Sequence, residues 1–359
     1  MLIMFETLAL TEKEDFSLLG PDGNLKPVPD GAPLLSDREI LSAYRLMLLA
    51  RQADDWAVSL NRQGRMATYP PNRGQEANAV GSVLALREDD WLVPAFRELG
   101  ALIAKGVPLH QIYMYWYGNE QGSNLPPEIY HTLPIAIPVG SQPLHAVGIA
   151  YAEKLKASGR IVLTFMGEGA TSQGAVHEAF NLAGVWNVGV VFYVQNNQWA
   201  ISLPTEKQTA SRTLAEKACA YGFESIRVDG NDLLAVYAAA SVGARIAREK
   251  SRPVLIEGYT YRLGAHTTAD DPKLYRDEEQ VAGWLEKDPL IRLERYLLGR
   301  GLLTEKDRDQ LAAAALEESK KAFERAESEA DPSLEDTFRY TFASLPPVLE
   351  RQLQRRKRS

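Results

Sequence analysis

The stretches IVLTFMGEGATSQG (161–174) and VVFYVQNNQWAIS (190–202) decide the fold. Each begins as an unbroken apolar run, without the alternation of a half-exposed strand. Such a run fits a strand buried on both faces, as in a parallel sheet covered by helices. Each then breaks into a polar loop, GEGATSQG at 167–174 and QNNQWAIS at 195–202. A helix is expected between them, near 174–186. Further on, a helix near 211–221 precedes the strand SIRVD (225–229), and a helix at about 232–249 precedes the strand PVLIEGYTY (253–261). Strand and helix alternating in this way predict an α/β fold with a doubly wound, mostly parallel sheet.

Toward the amino end, Ser36 followed three positions later by Glu39 has the form of a capping box. A helical pattern runs from there to about Leu60. RQGRMATYPPNRGQ (62–75) reads as a loop and 76–86 as a helix. Short apolar pieces alternate with Gly/Pro-rich loops from 88 to 145, and 118–142 is long and irregular, which marks functional loops. Helices are expected over 143–155 and 304–329. The division expected is an extended arm over 1–35, an α/β domain over 36–300 and a helical extension with a basic tail over 301–359.

Composition narrows the function. The chain has 359 residues, 45% of them hydrophobic and 24% charged, with a net charge of −7. That excludes wholesale disorder and lacks the basic footprint of a nucleic-acid binder. No apolar run approaches the roughly 18–20 residues of a membrane helix. The first residues, MLIMFETLALTEKEDF, have neither a basic n-region nor an Arg/Ser-rich transit pattern, so a cytoplasmic location is expected. The basic run at Arg351 and Arg355–Arg358 reads as a solvated tail, with an acidic docking partner as the alternative. Cys219, the single cysteine, excludes an internal disulfide and reads as a small buried residue in a reducing compartment.

Open parallel sheets bind ligands beyond the carboxyl ends of their strands. Glycines in GEGATSQG let the backbone approach a ligand, and a helix starting at Ala170 would offer free amides to a diphosphate. Glu168 and Asn197 supply hard oxygens, which suit Mg²⁺ together with phosphate oxygens. One such loop could simply turn a strand into a helix. Two matched strand ends favour a metal–diphosphate site.

Gly167-Glu168-Gly169, 26 residues and then Asn196-Asn197 resembles the thiamine-diphosphate motif, usually Gly-Asp-Gly ending in two asparagines. The wider chain resembles the α subunit of the decarboxylating component of 2-oxo acid dehydrogenase complexes. LNRQGR (60–65), GQEA (74–77), PVGSQPLHAVGIA (138–150), VDGND (228–232) and YRLGAHTTADDPKLYR (261–276) carry the likeness in order. The wording is closest to bacterial pyruvate dehydrogenase α subunits, with branched-chain 2-oxo acid dehydrogenase α subunits next.

The resemblance implies a thiamine-diphosphate-binding fold and residue roles. Glu168, Asn197 and the Trp199 carbonyl match the metal ligands. The amides of Gly169 and Ala170, beside Gly167, match the diphosphate cradle, and Phe96, Arg97 and Arg262 lie at positions that contact it. Val139 matches the bulky residue under the bent cofactor; its amide and the Ile137 carbonyl match the aminopyrimidine partners. His266 matches the catalytic histidine of a mobile loop. His110, His131, His145 and His177 have no such setting. Three departures stand out: Glu168 replaces aspartate, Phe96 replaces tyrosine, and Gln121 lies near a second histidine of some relatives.

The implied activity is oxidative decarboxylation of a small 2-oxo acid, pyruvate first, with reductive acyl transfer to a lipoylated acyltransferase component. A β subunit would supply the missing glutamate in a heterotetramer of two α and two β chains. A branched-chain 2-oxo acid or acetoin dehydrogenase subunit is the alternative of the same chemistry. A degenerate, non-catalytic partner subunit is the other.

Overall fold

The computed structural model describes residues 15–329, 333–339 and 342–357. Its strands are β1 (Trp91–Val93), β2 (Val162–Gly167), β3 (Val190–Asn196), β4 (Trp199–Ala200), β5 (Leu203–Pro204), β6 (Glu224–Asp229) and β7 (Val254–Tyr259). Five form one parallel sheet in the order β1-β2-β3-β7-β6, and β4 and β5 form a small antiparallel hairpin. Its helices are α1 (Asp37–Arg62), α2 (Glu76–Val83), α3 (Leu99–Ala104), α4 (Leu109–Tyr117), α5 (Pro127–Tyr130), α6 (Gln142–Leu155) and α7 (Gly174–Trp186). After these come α8 (Leu233–Lys250), α9 (Glu278–Leu285), α10 (Pro289–Gly299), α11 (Glu305–Ser328), α12 (Asp336–Arg339) and α13 (Pro347–Arg356).

Alternate residues of the central strands β2, β3 and β7 enter two cores. Leu163, Phe165, Val191, Tyr193 and Ile256 join a cluster with α1, α2 and α8. Val162, Phe192, Val194 and Leu255 join the other, against α6 and α7. Both faces of the sheet are therefore covered, which explains the unbroken apolar runs. Phe323 of α11 is buried against the rings of Tyr113 and Tyr117, so this helix joins the first core.

Residues 1–14 of the expected arm lie outside the described residues. From residue 15 onward the arm is extended and anchored. Phe16 bridges Val228 beside the sheet edge, and the Leu18 and Leu19 amides donate to Asp232 Oδ2 at 2.6 and 2.5 Å. The other oxygen of Asp232 caps α8 through the amides of Leu234 and Ala235. The Ser36–Glu39 capping box forms at the start of α1.

Four expectations need correction. The helix expected near 211–221 is a 3₁₀ helix, Ala215–Tyr221, and Cys219 within it is exposed rather than buried. Ala170 does not start an α-helix; Glu168–Ser172 is a 3₁₀ turn, and α7 begins at Gly174. The stretch after residue 88, read as apolar pieces between loops, contains β1, α3 and α4.

One buried ion cluster locks the helices that support the site. Arg51 of α1 meets Glu76 Oε1 at 2.5 Å and holds Asp288 with two hydrogen bonds at 3.0 and 3.2 Å. Asp288 in turn caps α10. Arg51→Met leaves two carboxylates buried without their cation, and removing one partner of such a cluster costs about 3–5 kcal/mol. Urea unfolding of the variant should show that loss. A loss under about 1 kcal/mol, the range of surface pairs, would contradict it.

Candidate active site

The ends of β2 and β3 meet in parallel register, with Gly167 opposite Gln195. Above them opens a cavity of about 650 Å³. Phe96, Arg97, Ile137, Val139, Gly167, Glu168, Gly169, Ala170, Asn197, Trp199, Arg262 and His266 all line it. The chain thus brings these twelve residues, named from the motifs and the resemblance, into one cavity. Ile137 and Val139 are about half exposed at its rim, in a segment held by Gln142, whose amide donates to the carbonyls of Ala136 and Pro138. A side-chain carbon added to Gly169 would stand 2.8 Å from the Ala200 Cβ, so the 168–172 turn packs closely against the hairpin.

Two buried guanidinium groups dominate the electrostatics. Arg97 is 6% exposed and Arg262 is 1% exposed. Arg97 donates to the carbonyls of Pro71 and His266. Arg262 donates to the carbonyls of Trp199 and Ile201 and to the Tyr275 hydroxyl. Their partners are neutral oxygens, so neither charge is cancelled by these bonds. Burial and the neighbouring Arg262 push Arg97 down to about 10. An anion in the cavity would relieve both.

His266 lies where the two cations converge. Its Nδ1 is 3.3 Å from Arg97 Nη2 and 3.4 Å from Arg262 Nη1. Guanidinium only donates, so Nδ1 accepts and the ring proton sits on Nε2. Burial, then Arg97 and Arg262, push the ring down to about 4. Its amide donates to Asp270, which also accepts from the Tyr275 hydroxyl. Phe96 meets the ring edge-on with centroids 6.3 Å apart.

The oxygens expected around a metal share this cavity. Glu168 is 2% exposed, and its Oε2 has no partner among the described residues. Burial pushes its carboxyl up, against the pull of Arg262 and Arg97. Asn197 donates to Gln75 Oε1 at 3.1 Å, and its own oxygen accepts from the Trp199 amide at 3.3 Å. Among the described residues no group of three or more His, Cys, Asp or Glu forms a metal cluster. A cation here would depend on one carboxylate, an amide and a carbonyl, with further oxygens from a bound phosphate, as hard cations accept.

Some lining residues were assigned no role from the sequence. Thr68, Gln75, Glu98, Trp116, Gln195 and Thr267 also border the cavity. Gln75 belongs to GQEA and Gln195 to the strand end, but nothing local marks Thr68 or Trp116. Glu98 is buried, and that burial pushes its carboxyl up to about 7. Gln121 is exposed in the 3₁₀ turn Glu120–Ser123 and does not border the cavity. A second cavity of about 600 Å³ lies behind Trp199 and Tyr275. Its Arg227 pairs with Asp15 and lies 3.8 Å from Glu257.

The histidine gives a direct check. The folded ring resists protonation, whereas an unfolded histidine titrates near 6.5. As pH falls from about 6.5 toward 4, the unfolded state takes up the proton first, so stability is lost across that window. NMR of the His266 ring should show it neutral at pH 6. A midpoint near 6.5 would contradict this geometry.

The dehydrogenase E1 component family matches residues 44–335. The 3-methyl-2-oxobutanoate dehydrogenase subunit alpha of Mycobacterium tuberculosis (strain ATCC 25618 / H37Rv) is 41% identical over 345 residues, covering 96% of this chain and 94% of that protein. The pyruvate dehydrogenase E1 component subunit alpha of Acholeplasma laidlawii is 40% identical, covering 91% of this chain and 95% of that one. Its counterpart in Bacillus subtilis (strain 168) is 37% identical, covering 90% and 87%. Such relatives imply thiamine diphosphate as cofactor and a β subunit as partner. The chain belongs to the dehydrogenase E1 component family, as an α subunit of a 2-oxo acid dehydrogenase.

Proposed function

We propose that this α subunit serves a pyruvate dehydrogenase, in a cytoplasmic heterotetramer of two α and two β chains, and acylates the lipoyl group of an acyltransferase component. The observation that supports a diphosphate cofactor is the pair of buried guanidiniums, Arg97 and Arg262, bonded only to neutral groups. Arg suits phosphate because its planar fork donates several hydrogen bonds at once. Glu168, Asn197 and the Trp199 carbonyl would hold Mg²⁺.

Thiamine diphosphate, when bound, supplies a nucleophilic carbon and an electron sink for decarboxylation. The chain binds and orients. Arg97 and Arg262, with the amides of Gly169 and Ala170, would hold the diphosphate. Ile137 and Val139 at the rim would hold the pyrimidine end. His266, neutral with its proton on Nε2, is a hydrogen-bond donor toward developing negative charge. Phe96 and Trp116 give the cavity an apolar wall.

A branched-chain 2-oxo acid is the second reading, favoured by the relative from Mycobacterium tuberculosis and by that apolar wall. Steady-state rates of the assembled enzyme with pyruvate and 3-methyl-2-oxobutanoate separate the two. A higher kcat/KM for pyruvate is expected; the reverse order would transfer the assignment. The purified chain alone should decarboxylate neither acid, and adding the β chain should restore activity. Robust activity from the chain alone would sink the subunit reading.

Glu168→Ala should abolish Mg²⁺-dependent cofactor binding, while Glu168→Asp should retain it. Unchanged binding in the alanine variant would remove Glu168 from the site. The 262–276 loop is tied through Arg262, Tyr275, Asp270 and His266, and its first member would bind the diphosphate. Limited proteolysis should therefore cut this loop faster without cofactor. Equal cleavage in both states would contradict that coupling.

A further inference from the structure

Gln195, next to last in β3, borders the cavity and is 2% exposed. Its Oε1 has no partner among the described residues. A buried acceptor left without a donor carries a desolvation cost, so its orientation needs a cause. Glu98 supplies one. The Gln195 Nε2 donates to Glu98 Oε1 at 2.7 Å, while the other carboxylate oxygen accepts from the Arg97 amide at 2.9 Å. Turning the Gln195 amide over would set its oxygen against that carboxylate. Glu98 therefore keeps the Gln195 oxygen turned away from its own carboxylate and fixes the Arg97 amide.

The position of that oxygen is informative. Gln195 is the register partner of Gly167, immediately before Glu168, and stands two residues before Asn197. It belongs to the same row of strand ends as the oxygens expected around the cation. Asn197 is oriented in a parallel way, its Nδ2 engaged by Gln75 Oε1. Both amides turn their nitrogens toward an acceptor behind them. Mg²⁺ dehydrates reluctantly and keeps several waters, which are strong donors.

We propose that Gln195 Oε1 accepts a hydrogen bond from a water on the bound divalent cation, and that Glu98 is the positioning residue that holds it there. This rests on the metal–diphosphate reading of the cavity. Glu98 touches neither cation nor substrate; it acts through Gln195 and the Arg97 amide. Partners one layer out from a metal typically set its affinity by 10–100-fold.

The test is a Mg²⁺ titration of the assembled α/β enzyme at saturating thiamine diphosphate, read by tryptophan fluorescence above the pH at which Glu98 titrates. Glu98→Gln and Gln195→Met should each raise the Mg²⁺ Kd by ~10-fold or more. The thermal midpoint of the cofactor-free enzyme should change little for Glu98→Gln, which keeps the side-chain shape. The double variant Glu98→Gln/Gln195→Glu restores a carboxylate oxygen facing the cation and should recover most of the Mg²⁺ affinity. An unchanged Mg²⁺ Kd in both single variants would overturn the proposal. So would a weaker thiamine diphosphate Kd at saturating Mg²⁺ with no change for the metal, because the missing donor would then belong to the cofactor. A wild-type enzyme that binds the cofactor without any divalent cation would instead overturn the reading on which the proposal rests.

Discussion

Two buried positive charges face one cavity without a carboxylate bonded to either. Arg97 and Arg262 converge on a single histidine nitrogen, and each lowers the proton affinity of that ring. Like charges this close repel, and removal from water adds to the cost. The arrangement makes sense only as half of a larger one. An anion of high charge and several oxygens completes it, and the diphosphate of the family's cofactor has that form. The neutrality of His266 follows from this constraint, as does the direction in which Glu168 is pulled.

The scaffold holds those charges apart from their natural partners. Asp54 faces the other way and accepts from the Tyr69 hydroxyl and the amides of Asn72 and Arg73. Its work is to fold the 69–73 loop, whose Pro71 carbonyl receives Arg97. Gly74 closes that loop at φ +96°, where a side-chain carbon would stand 2.7 Å from the Tyr261 carbonyl. The loop and the segment carrying Arg262 can approach because nothing fills that space. One backbone crossing thereby delivers both arginines and Gln75 to one cavity.

The sequence was legible where one physical rule acts alone. Runs buried on both faces announced β2, β3 and β7, the alternation of strand and helix announced β6, and the polar residues after β2 and β3 marked where a ligand belongs. β1 escaped because three residues, Trp91–Val93, carry no period. α4 escaped because LHQIYMYWY is apolar nearly all round and has no polar face to set a helical rhythm. The 3₁₀ turn at Glu168–Ser172 was mistaken for a helix start because both put free amides beside a glycine. The motifs, with the family resemblance supplying Phe96, Arg97 and Ile137, named twelve of the residues that line the cavity. Trp116 and Thr68 reach the cavity only through tertiary packing, and Glu98 matters only because Gln195 lies against it.

The central claim is that the paired arginines select the diphosphate rather than the ring system of the ligand. Comparing the affinities of thiamine diphosphate and thiamine on the assembled enzyme, for the wild type and for Arg262→Gln, tests it most directly. The wild type should strongly prefer the diphosphate, and the variant should lose most of that preference while binding thiamine as before. An undiminished preference in Arg262→Gln would contradict the account.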